Sequence, residues 1–232
     1  MENAIVIIPA RGGSQRIPKK NIKPFLGKPI ISYAIETALK SGICDEVMVS
    51  TDSTEIAEIA KQYGAKVPFM RDASLADGYT TTDAVIIDTI KRYREMGREF
   101  KYVICMHPTA VFVTTEHLKE AVRLMDSHHA KEVKMLAAFS FPPQRGMIID
   151  ENGFAEYKYK EYANTRSQDL SPIYHDVGQL YIYDTKLFVE SNGAVLDGVV
   201  PLLVDEKDVQ DIDNEQDWVM AELKYRIQHL SE

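Results

Sequence analysis

Strand-like and helix-like segments alternate along the first 140 residues of this 232-residue chain, and that alternation restricts the fold more than any other feature. Short apolar or β-rich runs at 4–8, 46–50, 66–70, 102–106 and 133–139 read as strands, the first as a buried parallel one. Between them, 29–40, the stretch from Asp52 or Ser53 to Gly64, 82–96 and 115–126 carry helical signals. Pro29 is tolerated in a first turn, and Gly42 falls just past that helix. Asp52 or Ser53 can cap the next one. Val85, Ile86, Thr89, Ile90 and Tyr93 form a single stripe on another. The pattern predicts an α/β fold, a Rossmann-like and mostly parallel sheet with helices on both faces.

The alternation breaks after Ser140. Pro142, Pro143, the turn at 150–153 and the aromatic stretch 154–162 predict a small hairpin-rich insertion over about 140–176. Such a segment suits a lid or an oligomer contact. Strands at 178–183 and 199–204 and a helix from Asn214 complete one domain spanning 1–232. An apolar content of 45% supports a full core at this length. The net charge of -8 argues against general nucleic-acid binding. No apolar run is long enough for a membrane span. The N-terminus lacks a signal-peptide pattern, so a cytoplasmic location is expected. Cys44 and Cys105, outside any C-x-x-C pair, read as small buried hydrophobes.

Against this acidic background stands a cationic island. From Asn3 to Ile35 there is no Asp or Glu, while Arg11, Arg16, Lys19, Lys20, Lys23 and Lys28 all occur. The first four, with Gly12 and Gly13, sit in a loop directly after the first strand. In open α/β sheets, ligands bind beyond the carboxyl ends of the strands. Glycine turns let backbone N–H groups approach phosphate, and Arg and Lys supply matching charge. A polyphosphate ligand follows; the bland alternative is a solvated basic loop. Neither G-x-x-x-x-G-K-[ST] nor G-x-G-x-x-G is present, so two familiar phosphate loops are excluded.

Asp211-Ile212-Asp213 is the second marked pattern. In an extended segment the two carboxylates share a face and Ile212 points the other way. Two hard oxygen ligands suit Mg²⁺, which completes its shell with water and phosphate. The competing reading is an acidic turn that caps the helix at Asn214.

The loop Arg11-Gly12-Gly13-Ser14-Gln15-Arg16-Ile17-Pro18-Lys19-Lys20-Asn21 resembles the R-x-G-S-x-R-x-P-x-K-N signature of the CMP-sugar synthetases. These are cytidylyltransferases that activate acidic nine-carbon sugars and Kdo. Sialic acid members carry Lys where this chain has Gln15. The resemblance runs from about Ile5 to Arg226, and 164–181 looks like the pseudaminic acid branch. It implies a CTP site formed by Ala10, Arg11, Gly12, Gly13, Ser14, Arg16, Lys20 and Asn21, with Arg71 reading cytosine. It implies Mg²⁺ on Asp211 and Asp213, with Arg11, Lys20 and Asp211 acting in catalysis.

For the acidic acceptor it implies Thr81, His107, Arg166, Gln168, His175 and Tyr181. Thr82 reads equally as a helix N-cap. Where sialic acid enzymes have Gln and a second Arg, this chain has His107 and His175, which fits a different nonulosonic acid. The implied reaction is CMP transfer from CTP to a nine-carbon sugar acid, in a homodimer whose insertion reaches the partner's site. Sialic, legionaminic or Kdo-type acceptors, or a non-catalytic nucleotide-binding domain, are the alternatives.

Overall fold

The structure is a computed structural model that describes residues 3–230. Its elements follow in order: β1 (Ala4–Pro9), β2 (Pro24–Phe25), β3 (Lys28–Pro29), α1 (Ile30–Ser41), β4 (Glu46–Ser50), α2 (Thr54–Gln62), α3 (Thr82–Glu95) and β5 (Tyr102–Met106). Then come α4 (Thr115–His128), β6 (Glu132–Ala138), β7 (Met147–Ile149), β8 (Ala155–Tyr157), β9 (Tyr174–Asp184), α5 (Thr185–Glu190), β10 (Val199–Val204) and α6 (Glu215–Gln228). Six strands form the main sheet in the order β10-β6-β9-β5-β1-β4. All its pairings are parallel except those of β9, which runs antiparallel to β5 and β6. The expected Rossmann-like, mostly parallel sheet is therefore present, with one strand reversed.

Alternate residues of β1 feed two cores, as the period of a strand requires. Ala4, Val6 and Ile8 pack with α1, α2 and α4 on one face; Ile5 and Ile7 pack with α3 and α5 on the other. A third cluster lies outside the sheet. In it, Ile17, Phe25, Ile30 and Tyr33 meet Ile212, Trp218 and Ala221. Phe25 makes edge contacts with Tyr33, Trp218 and Tyr225 at 5.4–5.7 Å between centroids. This cluster brings the C-terminal segment against the N-terminal loop.

Two of the expected strands need correction. Residues 66–70 form no strand: Lys66 makes a single bridge to Met48, and Pro68 has no N–H to continue a ladder. β9 begins four residues before the expected start, because its register against β6 shifts between Lys134 and Leu136. Gly178, at φ +66°, absorbs the irregularity. Ser53 is the cap of α2, accepting from the Ile56 N–H, and Asp52 serves the cationic loop instead. Cys105 is fully buried, whereas Cys44 is only half-buried, and burial pushes its thiol up to about 11.

Glu46 is a buried carboxylate on β4 that accepts from the Tyr93 hydroxyl, Arg98 and Lys66. Burial alone would raise its pKa; the three donors outweigh that and hold it below the ordinary value. A depressed folded-state pKa adds stability above about pH 4.5, lost as pH falls through the folded value. Glu46→Gln is expected to cost about 2 kcal/mol at pH 7. Urea titrations over a falling pH series should show the difference between the two proteins constant above about pH 4.5 and shrinking as pH falls further.

Candidate active site

β1, β4 and β5 are parallel, so their carboxyl ends share one edge of the sheet. The loop after β1, the Thr51–Ser53 turn after β4 and His107 after β5 all emerge there. The β1 loop and His107, with Arg71, Asp77 and Thr80, border a cleft of about 390 Å³, within the range for small-molecule sites.

The cationic loop is held from beneath. The Gly12 N–H donates to Asp52 Oδ1 at 2.8 Å, and an added Cβ there would stand 3.1 Å from the Ser53 Cβ. Asn21 donates to the Arg11 carbonyl at 2.9 Å. Lys20 Nζ donates to the Ile212 carbonyl at 2.7 Å, across 192 residues of sequence. Lys19 and Lys23 pair outward with Glu55 and Glu215. Of the cations in this loop, Arg11, Arg16 and Lys20 border the cleft.

Ser14, Asn21, Arg71, His107 and Asp213 border it as well, together with Gln15. Ala10, Gly12 and Gly13 do not. Ala10 is fully buried and extends the β1–β4 pairing by donating to the Ser50 carbonyl at 2.9 Å. Arg71 is 8% exposed, its guanidinium fixed by the Ser50 carbonyl at 2.6 Å and the Ser50 hydroxyl at 3.2 Å. Burial lowers its pKa, opposed by the Asp52 charge. Such anchoring aims a planar donor fork at the cleft. Arg11 donates to the Asp77 carbonyl at 2.6 Å and so ties the opposite rim.

Ile212 is fully buried in the third cluster, so Asp211 and Asp213 project the other way. Asp213 reaches Arg16 at 2.9 Å and Lys20 at 3.5 Å. Asp211 borders a separate hollow beside His175, Asp176 and Lys224. The protein around it raises its pKa, the Asp213 charge adds to that, and Lys20 opposes it. The pair thus interacts through space although each faces its own hollow. The capping reading also has a basis nearby: Asn214 caps α6, with Asp217 accepting from the Asp213 and Asn214 N–H groups. Among the described residues no group of three or more His, Cys, Asp or Glu side chains could hold a metal unaided. Only Asp213 stands beside the phosphate-sized cationic loop, where a hard carboxylate fits a cation that completes its shell from phosphate; Asp211 would join it only by turning out of its own hollow.

A second cavity of about 250 Å³ adjoins the cleft and shares Thr82 and His107 with it. Tyr181 borders this cavity and donates to Asp176 Oδ1 at 2.9 Å. Burial pulls the His107 pKa down to about 4, against the Asp176 charge, so its ring is neutral at neutral pH. Thr81, not Thr82, is the cap of α3, accepting from Ala84, while Thr80 and Thr82 face the cleft. His175 packs at a tilt against Phe139, with 4.8 Å between centroids, and borders the hollow of Asp211. Arg166 and Gln168 reach neither cavity. Arg166 is exposed and pairs with Asp169 at 2.7 Å.

Those two residues lie on the segment between β6 and β9. It carries the β7–β8 hairpin, which pairs only with itself, and short 3₁₀ turns. Phe139, Phe141, Met147, Ile148, Ile149 and Phe154 are all exposed along it. The hydroxyl cluster expected at 80–82 does wall the cleft, through Thr80 and Thr82, whereas the sequence reading missed Asp83 and Lys134. Asp83 and Lys134 sit among ordinary surface patterns, and only the topology brings them together.

A cleft at the carboxyl edge of a doubly wound sheet, walled by cations from the loop after the first strand, defines a nucleotide-binding α/β protein. The chain belongs to the cytidylyltransferase family, whose profile matches residues 5–178. It is similar to a pseudaminic acid cytidylyltransferase of Campylobacter jejuni subsp. jejuni serotype O:2, 39% identical over 98% of both chains. It is also similar to a CMP-N,N'-diacetyllegionaminic acid synthase of Legionella pneumophila, 33% identical over 94% of both. In fold it matches a CMP:2-keto-3-deoxy-manno-octonic acid synthetase solved with CTP, at a TM-score of 0.70. That pair is 16% identical and covers 98% of this chain and 99% of the other.

Proposed function

We propose that the protein transfers CMP from CTP to the anomeric hydroxyl of a nine-carbon 2-keto sugar acid, pseudaminic acid, and releases pyrophosphate. The observation that carries this reading is the near-complete match to the Campylobacter enzyme, 39% identical over 98% of the chain. The cleft supports it independently. Arg11, Arg16 and Lys20 supply the charge that a triphosphate needs, and Arg71 offers a fixed donor fork to a pyrimidine edge.

In this reading the anomeric oxygen forms a bond to the α-phosphorus as the bond to the β-phosphate oxygen breaks. The protein contributes positioning and charge neutralisation. Asp211 and Asp213 would hold Mg²⁺, which when bound offsets the charge on phosphate. Arg16 and Lys20, paired with Asp213 in this structure, would turn to the triphosphate. The hydroxyl proton would leave toward the Asp211/Asp213 carboxylate pair. His107 and Tyr181, on the second cavity, would contact the acceptor. Arg166, Gln168 and His175 would meet an acceptor only if the insertion of one protomer approaches the site of another. The exposed apolar residues of that segment support a homodimer. Use of CTP and unpaired cysteines support a cytoplasmic enzyme. No helix among the described residues is long and apolar enough to cross a membrane.

Pyrophosphate release, assayed with CTP, Mg²⁺ and pseudaminic, legionaminic, N-acetylneuraminic and Kdo acids, tests the reading. Pseudaminic acid should give the highest kcat/KM. Release with none of them would overturn the transfer reaction, and a higher value for another acid would overturn the acceptor assignment. Arg71→Ala is expected to raise the KM for CTP about 10–100-fold and to leave the KM for the sugar acid near its original value. Steady-state kinetics with each substrate varied in turn checks this.

A further inference from the structure

The second cavity has a chemistry that the cationic cleft lacks. Its walls carry Asp83, Glu132 and Asp176 and one cation, Lys134. Lys134 leaves β6 next to the register shift against β9. Its ammonium lies 3.3 Å from Glu132 Oε1, 3.8 Å from Asp176 Oδ2 and 5.6 Å from the Tyr181 ring centre. Glu132 is 2% exposed, and its Oε1 has no hydrogen-bonding partner, because the contact with Lys134 lacks hydrogen-bond geometry. Glu132 therefore fixes the ammonium by charge while leaving donors available.

Asp176 is engaged, accepting from the Gly178 N–H and the Tyr181 hydroxyl. Asp83, reaching the cavity from α3, makes no hydrogen bond or ion pair among the described residues. Tyr183, 6% exposed and also on the wall, has an equally unpartnered hydroxyl. Burial raises the pKa of both Asp83 and Glu132, with Lys134 opposing in each case. Three carboxylates against one ammonium repel an anion. The acceptor's own carboxylate therefore belongs outside this cavity. What fits inside is a neutral group that donates to a carboxylate and accepts from an ammonium, and a secondary amide does both.

We infer that this cavity reads an acylamino substituent of the acceptor, its N–H donating to Asp83 and its carbonyl accepting from Lys134. Glu132 is the positioning residue for Lys134. The inference rests on the transfer reaction proposed above. It names which end of the sugar enters and what separates an acylamino acceptor from one bearing hydroxyls alone. A site built around a polar pair discriminates strongly against analogues that leave the pair unmatched.

The test compares diacetamido pseudaminic acid with 2-keto-3-deoxynononic acid, which bears hydroxyls only, in the wild type, Lys134→Met and Asp83→Ala. The wild type should prefer the diacetamido acceptor. Each variant should raise the KM for it about 10–100-fold, shrink the preference, and leave the KM for CTP within about twofold. Lys134→Met strands Glu132 and can lower stability, so melting curves accompany it. Asp83→Ala, at a half-exposed position, keeps the fold. An unchanged preference in Asp83→Ala, or an equal loss toward both acceptors, overturns the inference alone. A wild type that turns over no sugar acid overturns the transfer reaction and this inference with it.

Discussion

Asp213→Asn is expected to lower kcat about 10²–10³-fold while moving the thermal midpoint by no more than about 2 °C. Asp213 is where the two marked sequence patterns meet, with Arg16 at 2.9 Å and Lys20 at 3.5 Å. The change removes the negative charge that would hold Mg²⁺, and an amide oxygen is a poor substitute. Stability should hold, because the pair is solvent-accessible and exposed ion pairs contribute little. The turn itself is kept by Asp217, which accepts from the Asp213 and Asn214 N–H groups. Stopped-time product assays over a Mg²⁺ series, beside melting curves, check both halves. Unchanged kcat at all Mg²⁺ concentrations would remove the metal assignment.

Trp218→Ala is expected to cost about 3–5 kcal/mol, the largest stability effect of any single change considered. Trp218 is 4% exposed and packs edge-on to Phe25 at 5.7 Å. Lys23 sits 4.6 Å over its ring, and its indole N–H donates to Glu222 at 3.2 Å. Truncation leaves a cavity between α6 and the hairpin of β2 and β3, and little nearby can collapse into it. Activity should fall too. Ile212 shares the cluster and its carbonyl receives Lys20, so a loosened α6 lets the carboxylate pair drift from the loop. Urea unfolding measures the stability term. The ratio of kcat to folded fraction, at a temperature where the variant is folded, measures the positioning term.

The parts legible in the sequence are those written in local patterns. The alternation of apolar runs and stripes gave β1, β4, β5, β6 and the helices between them, because each must bury one face. The cationic loop and the Asp211/Asp213 pair stood out because each breaks its surroundings, one in charge and one in spacing. What stayed hidden depends on non-local geometry. The reach of β9 was obscured by its bulge at Gly178, whose extra residues destroy the period-two signal. The turn at Leu26 and Gly27, both at positive φ, makes a two-residue hairpin too short to show any period. The use of Asp52 to hold the Gly12 N–H, rather than to cap α2, became visible only once β1 and β4 were paired. The Asp83–Lys134 wall is likewise assembled from α3 and β6, 51 positions apart in sequence.

The most direct test of the central claim is to identify the product. The protein, CTP, Mg²⁺ and pseudaminic acid are incubated together, and the mixture is followed by ³¹P NMR and mass spectrometry. Formation of a phosphodiester at the mass of CMP-pseudaminic acid, with one pyrophosphate per product, is the expected result. Intact CTP after prolonged incubation, or pyrophosphate formed at the same rate with the sugar omitted, would contradict it.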